Sequence, residues 1–149
     1  MATLTQSRNP EFDAVVRASF ARQGMMRLIG AEIAALAPGR CTLAAPIGPE
    51  TSQQHGFAHA GLAWSLGDSA AGYSALSLLG PGEEVLTTEM KINLLAPAKG
   101  ARLVAEGRVI RGGRRLLVVG AEVWAEDGGE RRHVATMLGS MMPVAASDG

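Results

Sequence analysis

The loop His55-Gly56-Phe57-Ala58-His59-Ala60-Gly61 opens onto the apolar run Leu62 to Leu79, and that run holds a single carboxylate, Asp68. A helix beginning near Ala60 would present unpaired backbone N–H groups and a partial positive charge at its first turn. Such a tip stabilises an oxygen that is gaining negative charge, for instance the carbonyl oxygen of an ester under attack. Gly56, Ala60 and Gly61 keep the side chains there small, so a carbonyl can approach. Burying a carboxylate costs several kcal/mol unless it is paired or hydrogen-bonded. Asp68 therefore needs a reason. Chemistry offers two, a general base for water or a nucleophile on an acyl carbon; the structural alternative is a carboxylate that caps a neighbouring loop.

Spacing constrains the chemistry further. Ala60 and Asp68 are eight residues apart, about 12 Å along a helix. An oxyanion donor and an attacking group must each come within roughly 3 Å of one carbonyl. One helix cannot supply both. Two helices packed antiparallel across a two-fold axis can, with the tip of one facing Asp68 of the other, so the expected site is shared between subunits.

The elements that must hold this arrangement follow from periodicity and turn residues. Glu11 to Gln23 has apolar residues at helical spacing, with Pro10 and Glu11 suited to a first turn and Gly24 as the stop. Leu28 to Leu36 and Arg40 to Ile47 read as strands joined by Pro38-Gly39. Glu50 to Ala58 reads as a loop rich in hydrogen-bonding residues, His55 among them. The long helix is expected over Ala60 to Leu79, stopped by Gly80-Pro81-Gly82. Four strand-like stretches follow: Val85 to Leu95, Ala101 to Arg111, Leu116 to Ala125 and His133 to Val144, with turns at Gly112-Gly113 and Asp127-Gly128-Gly129. In the first of them Leu86, Met90, Ile92 and Leu94 alternate with Glu89, Lys91 and Asn93. The expected fold is α+β: an antiparallel sheet of five to six strands wrapped around a long central helix, the hotdog architecture, with an extra N-terminal helix. The chain reads as one domain over 1–149, with 1–10 a flexible N-terminus. An exposed sheet edge and a partly covered helix point to a homodimer at least, with a tetramer open.

Bulk composition narrows the function. Lys+Arg 14 balance Asp+Glu 14, so the basic face that nucleic acid requires is missing. A lone cysteine, Cys41, forbids an internal disulfide and favours a reducing compartment, and no hydrophobic leader is seen, so a cytoplasmic location is expected. Glycines, serines and Asp68 within the apolar run argue against a membrane span.

The run His59-Ala60-Gly61-Leu62-Ala63-Trp64-Ser65-Leu66-Gly67-Asp68-Ser69-Ala70-Ala71-Gly72 resembles the HGG…D signature of PaaI-type hotdog thioesterases, and Val85-Leu86-Thr87-Thr88-Glu89-Met90-Lys91-Ile92-Asn93-Leu94-Leu95-Ala96-Pro97-Ala98 resembles the strand after the helix in that family. The similarity covers about Gly39 to Val144. It implies hydrolysis of an acyl-CoA thioester without metal or other cofactor, coenzyme A being part of the substrate, by dimers or tetramers. It places the catalytic carboxylate on Asp68, the oxyanion N–H on Ala60, a positioning amide on Gln53 or Gln54, and a hydroxyl on Thr87. Thr88 and Asn93 on the same strand, with His55, Phe57 and Gly61 around the helix tip, complete the expected substrate contacts. The second signature position, usually Gly, is Ala60; the N–H survives but the methyl narrows the approach.

Other readings compete. His59 either contributes to the chemistry or holds the loop against the helix. His55 and His59 have the spacing of a metal pair, but they lie in a loop and no third ligand is close by in sequence. Arg111, Arg114 and Arg115 flank a hairpin turn and either solvate its tip or meet the phosphates of CoA. Trp64 and Tyr73 read as packing, and Phe57 sits where an acyl tail could pass. The rival functions are a non-catalytic acyl-CoA-binding or regulatory module on the same fold, and a hydratase acting on enoyl-CoA, which normally needs an Asp/His pair.

Overall fold

The computed structural model describes residues 6–146. Residues 1–5, half of the N-terminus expected to be flexible, fall outside it. Residues 6–10 are tied down: Arg8 donates to the Leu78 carbonyl at 3.3 Å and pairs with Glu83, and Asn9 is buried. Helix α1, Phe12–Arg22, then buries Val16 and carries an Asp13–Arg17 ion pair one turn apart on its wet side.

The sequence reading fails in the next segment. Gly24 does not simply end α1; it opens a second helix, α2, Gly24–Leu28. The strand expected from Leu28 begins only at β1, Glu32–Ala37. Five residues are too few to show helical periodicity, and the only inward side chain is Met26, 1% exposed. Gly30, at φ 66°, makes the left-handed turn that separates α2 from β1. Strand β2, Arg40–Pro46, follows the Pro38-Gly39 turn as expected.

The long helix, α3, spans Ala60–Leu76. It stops three residues short of the expected end because its last turn tightens: Leu78 and Leu79 N–H bond to carbonyls three residues back. Two buried serines near the end of α3, Ser74 and Ser77, are hydrogen-bonded. Ser74 donates to the Ala71 carbonyl at 2.6 Å, and Ser77 donates to Ser74 at 2.7 Å while accepting the Gly39 N–H at 2.8 Å. Four strands follow: β3, Glu83–Leu94; β4, Arg102–Gly112; β5, Leu117–Asp127; and β6, Glu130–Ala145.

The strands form one six-stranded sheet in the order β1-β2-β4-β5-β6-β3, every neighbouring pair antiparallel. It curls around α3, which packs on β2, β3, β4 and β5. This is the hotdog fold, with α1 and α2 added at the N-terminus. The core joins Leu62, Leu66, Ala70 and Leu76 of α3 to Leu43, Leu103, Ala105, Val119, Val123 and Met141 of the sheet. Cys41 belongs to this core, and burial pushes its thiol up to about 12, so it is an inert packing group.

Gly107, mid-β4, sets how close the helix can come. A Cβ there would lie 2.2–2.5 Å from backbone atoms of Ala70 and Ala71. Those are main-chain atoms that no rotamer change can move. Gly107→Ala is expected to lose about 3 kcal/mol of stability by prying α3 off the sheet, measured by denaturant unfolding. A change below about 0.5 kcal/mol, the range of ordinary surface substitutions, would show that the helix is held less tightly than the geometry requires.

Strand β3 corrects a second expectation. A bulge between Thr87 and Glu89 breaks the alternation. Beyond the bulge Met90 and Ile92 face α3 as expected. Before it the inward positions are Val85 and Thr87, which pairs with buried Met141, and Leu86 is turned outward, 56% exposed. One extra residue inverts the faces without interrupting the strand.

Candidate active site

The sheet covers α3 on most of its circumference and leaves one stripe open. Ala60, Trp64, Asp68 and Gly72, four residues apart each time, run along that stripe, with Gly61 and Ser65 beside them also not buried. The loop before the helix is held by the backbone: His59 N–H donates to Thr51 and Ala58 N–H to Ala98, both at 2.8 Å. His59 is the N-cap, extended at φ −63°, ψ 142°, and its Nδ1 accepts the Gly61 N–H at 2.8 Å. The imidazole thus carries its proton on Nε2 when neutral. Leu62 N–H bonds to the His59 carbonyl. Among the described residues the Ala60 N–H at this tip has no acceptor. The helix tip therefore offers one free donor, at an exposed residue, where the sequence places the oxyanion site.

Two apolar cavities flank the tip, and His59 lines both. One, about 620 Å³, lies between α2 and the loop and includes Leu28, Ile29, Pro46, Gly61 and Arg27. The other, about 590 Å³, includes Gln53, Gln54, Phe57, Ala60, Leu95 and Pro97. Both glutamines thus reach the wall beside Ala60. Gln53 also accepts the His55 N–H and closes the Gln53–Gly56 turn, leaving Gln54 the freer amide.

Asp68 is half-buried on α3. Its Oδ1 accepts from the Thr87 hydroxyl at 2.8 Å across to β3. Burial raises its carboxyl above the usual range, and the Thr87 hydrogen bond pulls it partly back. A third cavity, about 110 Å³, adjoins it and is lined by Ser19, Gln23, Ser69, Gly72, Tyr73 and Glu84 among others. Among the described residues no histidine of the same chain lines that cavity. Among the described residues no three His, Cys, Asp or Glu side chains gather as a metal site would require.

Several expected contacts lie elsewhere. Asn93 pairs with Thr136 on the outer sheet face, away from α3, because its side chain follows the β3 pleat beyond the bulge. Thr88 is the bulge residue, and its hydroxyl donates to the Ser140 carbonyl at 2.9 Å, so it serves β3–β6 pairing. His55 is exposed at the loop tip and lines none of the three cavities, and Arg111 and Arg114 are exposed at the β4–β5 hairpin, also outside them. The sequence reading missed Gln23, Ser19 and Arg27. Their only signal was polar residues breaking the inward face of α1 and the cation of α2, and the second of these helices was itself missed.

Residues 55–131 match the model of the thioesterase superfamily. A thioesterase family protein from Silicibacter pomeroyi is 43% identical, and its crystal structure has a TM-score of 0.88 over 91% of this chain and 99% of that one. A protein from Bacillus halodurans, solved with CoA, is 26% identical with a TM-score of 0.70, covering 89% of this chain and 84% of its own. The E. coli PaaI protein, from the phenylacetic acid degradation operon, is 19% identical and shares the fold at a TM-score of 0.83 over 95% and 99% of the two chains. Fold and family match together place the chain among the hotdog-type thioesterases. The chain belongs to the thioesterase superfamily.

Proposed function

We propose that the chain hydrolyses an acyl-CoA thioester in sites shared between two copies. The observation that carries this is the open stripe of α3, which bears the free Ala60 N–H at its head and Asp68 two turns on. A two-fold axis near Trp64 would set the tip of one helix against Asp68 of the second copy. It would also cover the stripe and the unpaired edge of β3. The thioester oxygen then accepts the Ala60 N–H. Asp68 either takes a proton from water as that water attacks the carbonyl carbon, or attacks the carbon itself to give an anhydride that water opens. In both routes the C–S bond breaks and the thiolate of CoA leaves and is protonated. Neutral His59 holds the first turn and presents Nε2–H beside the same carbonyl. The apolar cavities at the tip suit the pantetheine arm, and Arg27 is the cation nearest to take phosphate. CoA in the Bacillus halodurans relative supports a CoA thioester as substrate.

Thiol release measured across a panel of acyl-CoA esters tests this reading. No release from any of them, with tight CoA-ester binding, would favour the non-catalytic module. Thr87→Val supplies a finer check. It removes the hydrogen bond that favours the charged carboxylate, so the Asp68 carboxyl rises further. The acid limb of the rate–pH profile is expected to move to higher pH, with the loss largest at low pH and fading as pH rises. A uniform loss at every pH would remove Thr87 from the control of Asp68.

A further inference from the structure

The cavity beside Asp68 differs in chemistry from the two at the helix tip. Gly72 lies one turn past Asp68, so no side chain fills the space beyond the carboxylate. Tyr73, on the same helix, and Gln23, between α1 and α2, make the far wall. The Gln23 amide donates to the Tyr73 hydroxyl at 2.9 Å. The remaining contacts of this group are slack: Ser19 to Tyr73 and Ser69 to Gln23 are both 3.4 Å, beyond the roughly 2.5–3.0 Å of a good O–H···O bond. The Tyr73 side chain is 5% exposed and burial keeps its phenol neutral, so the hydroxyl retains a proton whose contact is the Ser19 hydroxyl at the long distance of 3.4 Å.

We propose that this cavity is the acyl subsite and that it selects short, uncharged acyl groups bearing a hydroxyl, which Tyr73 and Gln23 bind. The proposal rests on the thioesterase reading and names its substrate class. Size limits the acyl group: about 110 Å³ holds three or four heavy atoms at about 30 Å³ each, and is smaller than the roughly 150 Å³ cavity that accepts benzene. Charge limits it too. Glu84 shares the lining with Asp68 and has only a long, exposed pairing with Arg22 at 3.9 Å, so an acyl chain ending in a carboxylate is repelled. A hydroxyl on the third carbon reaches past Gly72 to the phenol and amide, filling the positions the slack network leaves open.

The test compares thiol release from butanoyl-CoA, 3-hydroxybutanoyl-CoA, succinyl-CoA and benzoyl-CoA. The hydroxylated ester is expected to show at least about tenfold higher kcat/KM than butanoyl-CoA, because a site built to bind a hydroxyl rejects the analogue lacking it. Succinyl- and benzoyl-CoA are expected to be poorer than both. Tyr73→Phe and Gln23→Leu should each bring the hydroxylated-to-plain ratio towards one. Equal kcat/KM for the pair, benzoyl-CoA as the best of the four, or a ratio that survives both substitutions would overturn the proposal. Should Gln23→Leu fail to fold, Tyr73→Phe, which keeps the ring, decides alone. Calorimetric titration of the matched pair onto Asp68→Asn reads the same preference without turnover. If no ester releases thiol, the thioesterase reading fails by itself; equal dissociation constants in the titration then overturn the subsite as well, and a tenfold preference upholds it.

Discussion

Asp68→Asn is expected to keep the fold and the assembly and to lose turnover by about a thousandfold, the middle of the range for a general base. The amide can still accept from Thr87, so the geometry of α3 and β3 is preserved while the proton acceptor is gone. Stability supplies a second readout with its own sign. Burial raises the folded carboxyl above its unfolded value. What that group contributes to stability is therefore present below the ordinary carboxylate range and is lost as pH rises through the raised value. At neutral pH the wild type holds a charge in a half-buried position, and the amide does not. The variant is expected to melt at higher temperature near neutrality, with the advantage vanishing in acid. Unchanged turnover would remove Asp68 from the chemistry, and a melting difference independent of pH would remove its charge from the energetics.

Ala60→Pro should be nearly as damaging to catalysis and harmless to the helix. Ala60 is the first residue of α3, where proline is favoured because its missing N–H has no intrahelical partner. The residue before a proline must be extended, and His59 already is, at φ −63°, ψ 142°. The substitution therefore deletes one hydrogen-bond donor and little else. Removing one oxyanion donor costs about 10²–10³ in kcat, and a loss of that size with an unaltered melting temperature is the expected result. Full activity would place the oxyanion site elsewhere.

Much of this was legible because a few residues carry unambiguous physics. Gly80-Pro81-Gly82 must end a helix, Pro38-Gly39 and Asp127-Gly128 must turn, and a lone carboxylate in an apolar run must have company. Those features set the order of elements and pointed to the two ends of the candidate site. What escaped has equally specific causes. The bulge at Thr88 leaves the alternation of β3 looking regular on both sides of it, so its inversion shows only in the pairing with β6. Helix α2 is shorter than the period that would reveal it. Tyr73 looked like packing because its hydroxyl partners, Ser19 on α1 and Gln23 just after it, are about 50 residues away. The outer-face stack of Trp124 with His133 and Arg131 shows only once the β5–β6 hairpin register is known, with rings 4.3 Å apart and the guanidinium 4.2 Å away.

That donor and acid ride on one rigid helix, too far apart to meet, has a genetic corollary. Each site would draw its amide from one polypeptide and its carboxylate from the other. Co-expressing Asp68→Asn with Ala60→Pro, each inert alone, would then yield mixed pairs in which one site inherits both lesions and the other inherits neither. Activity should reappear in the mixture, and its failure to do so in verified mixed pairs would mean that each polypeptide works alone.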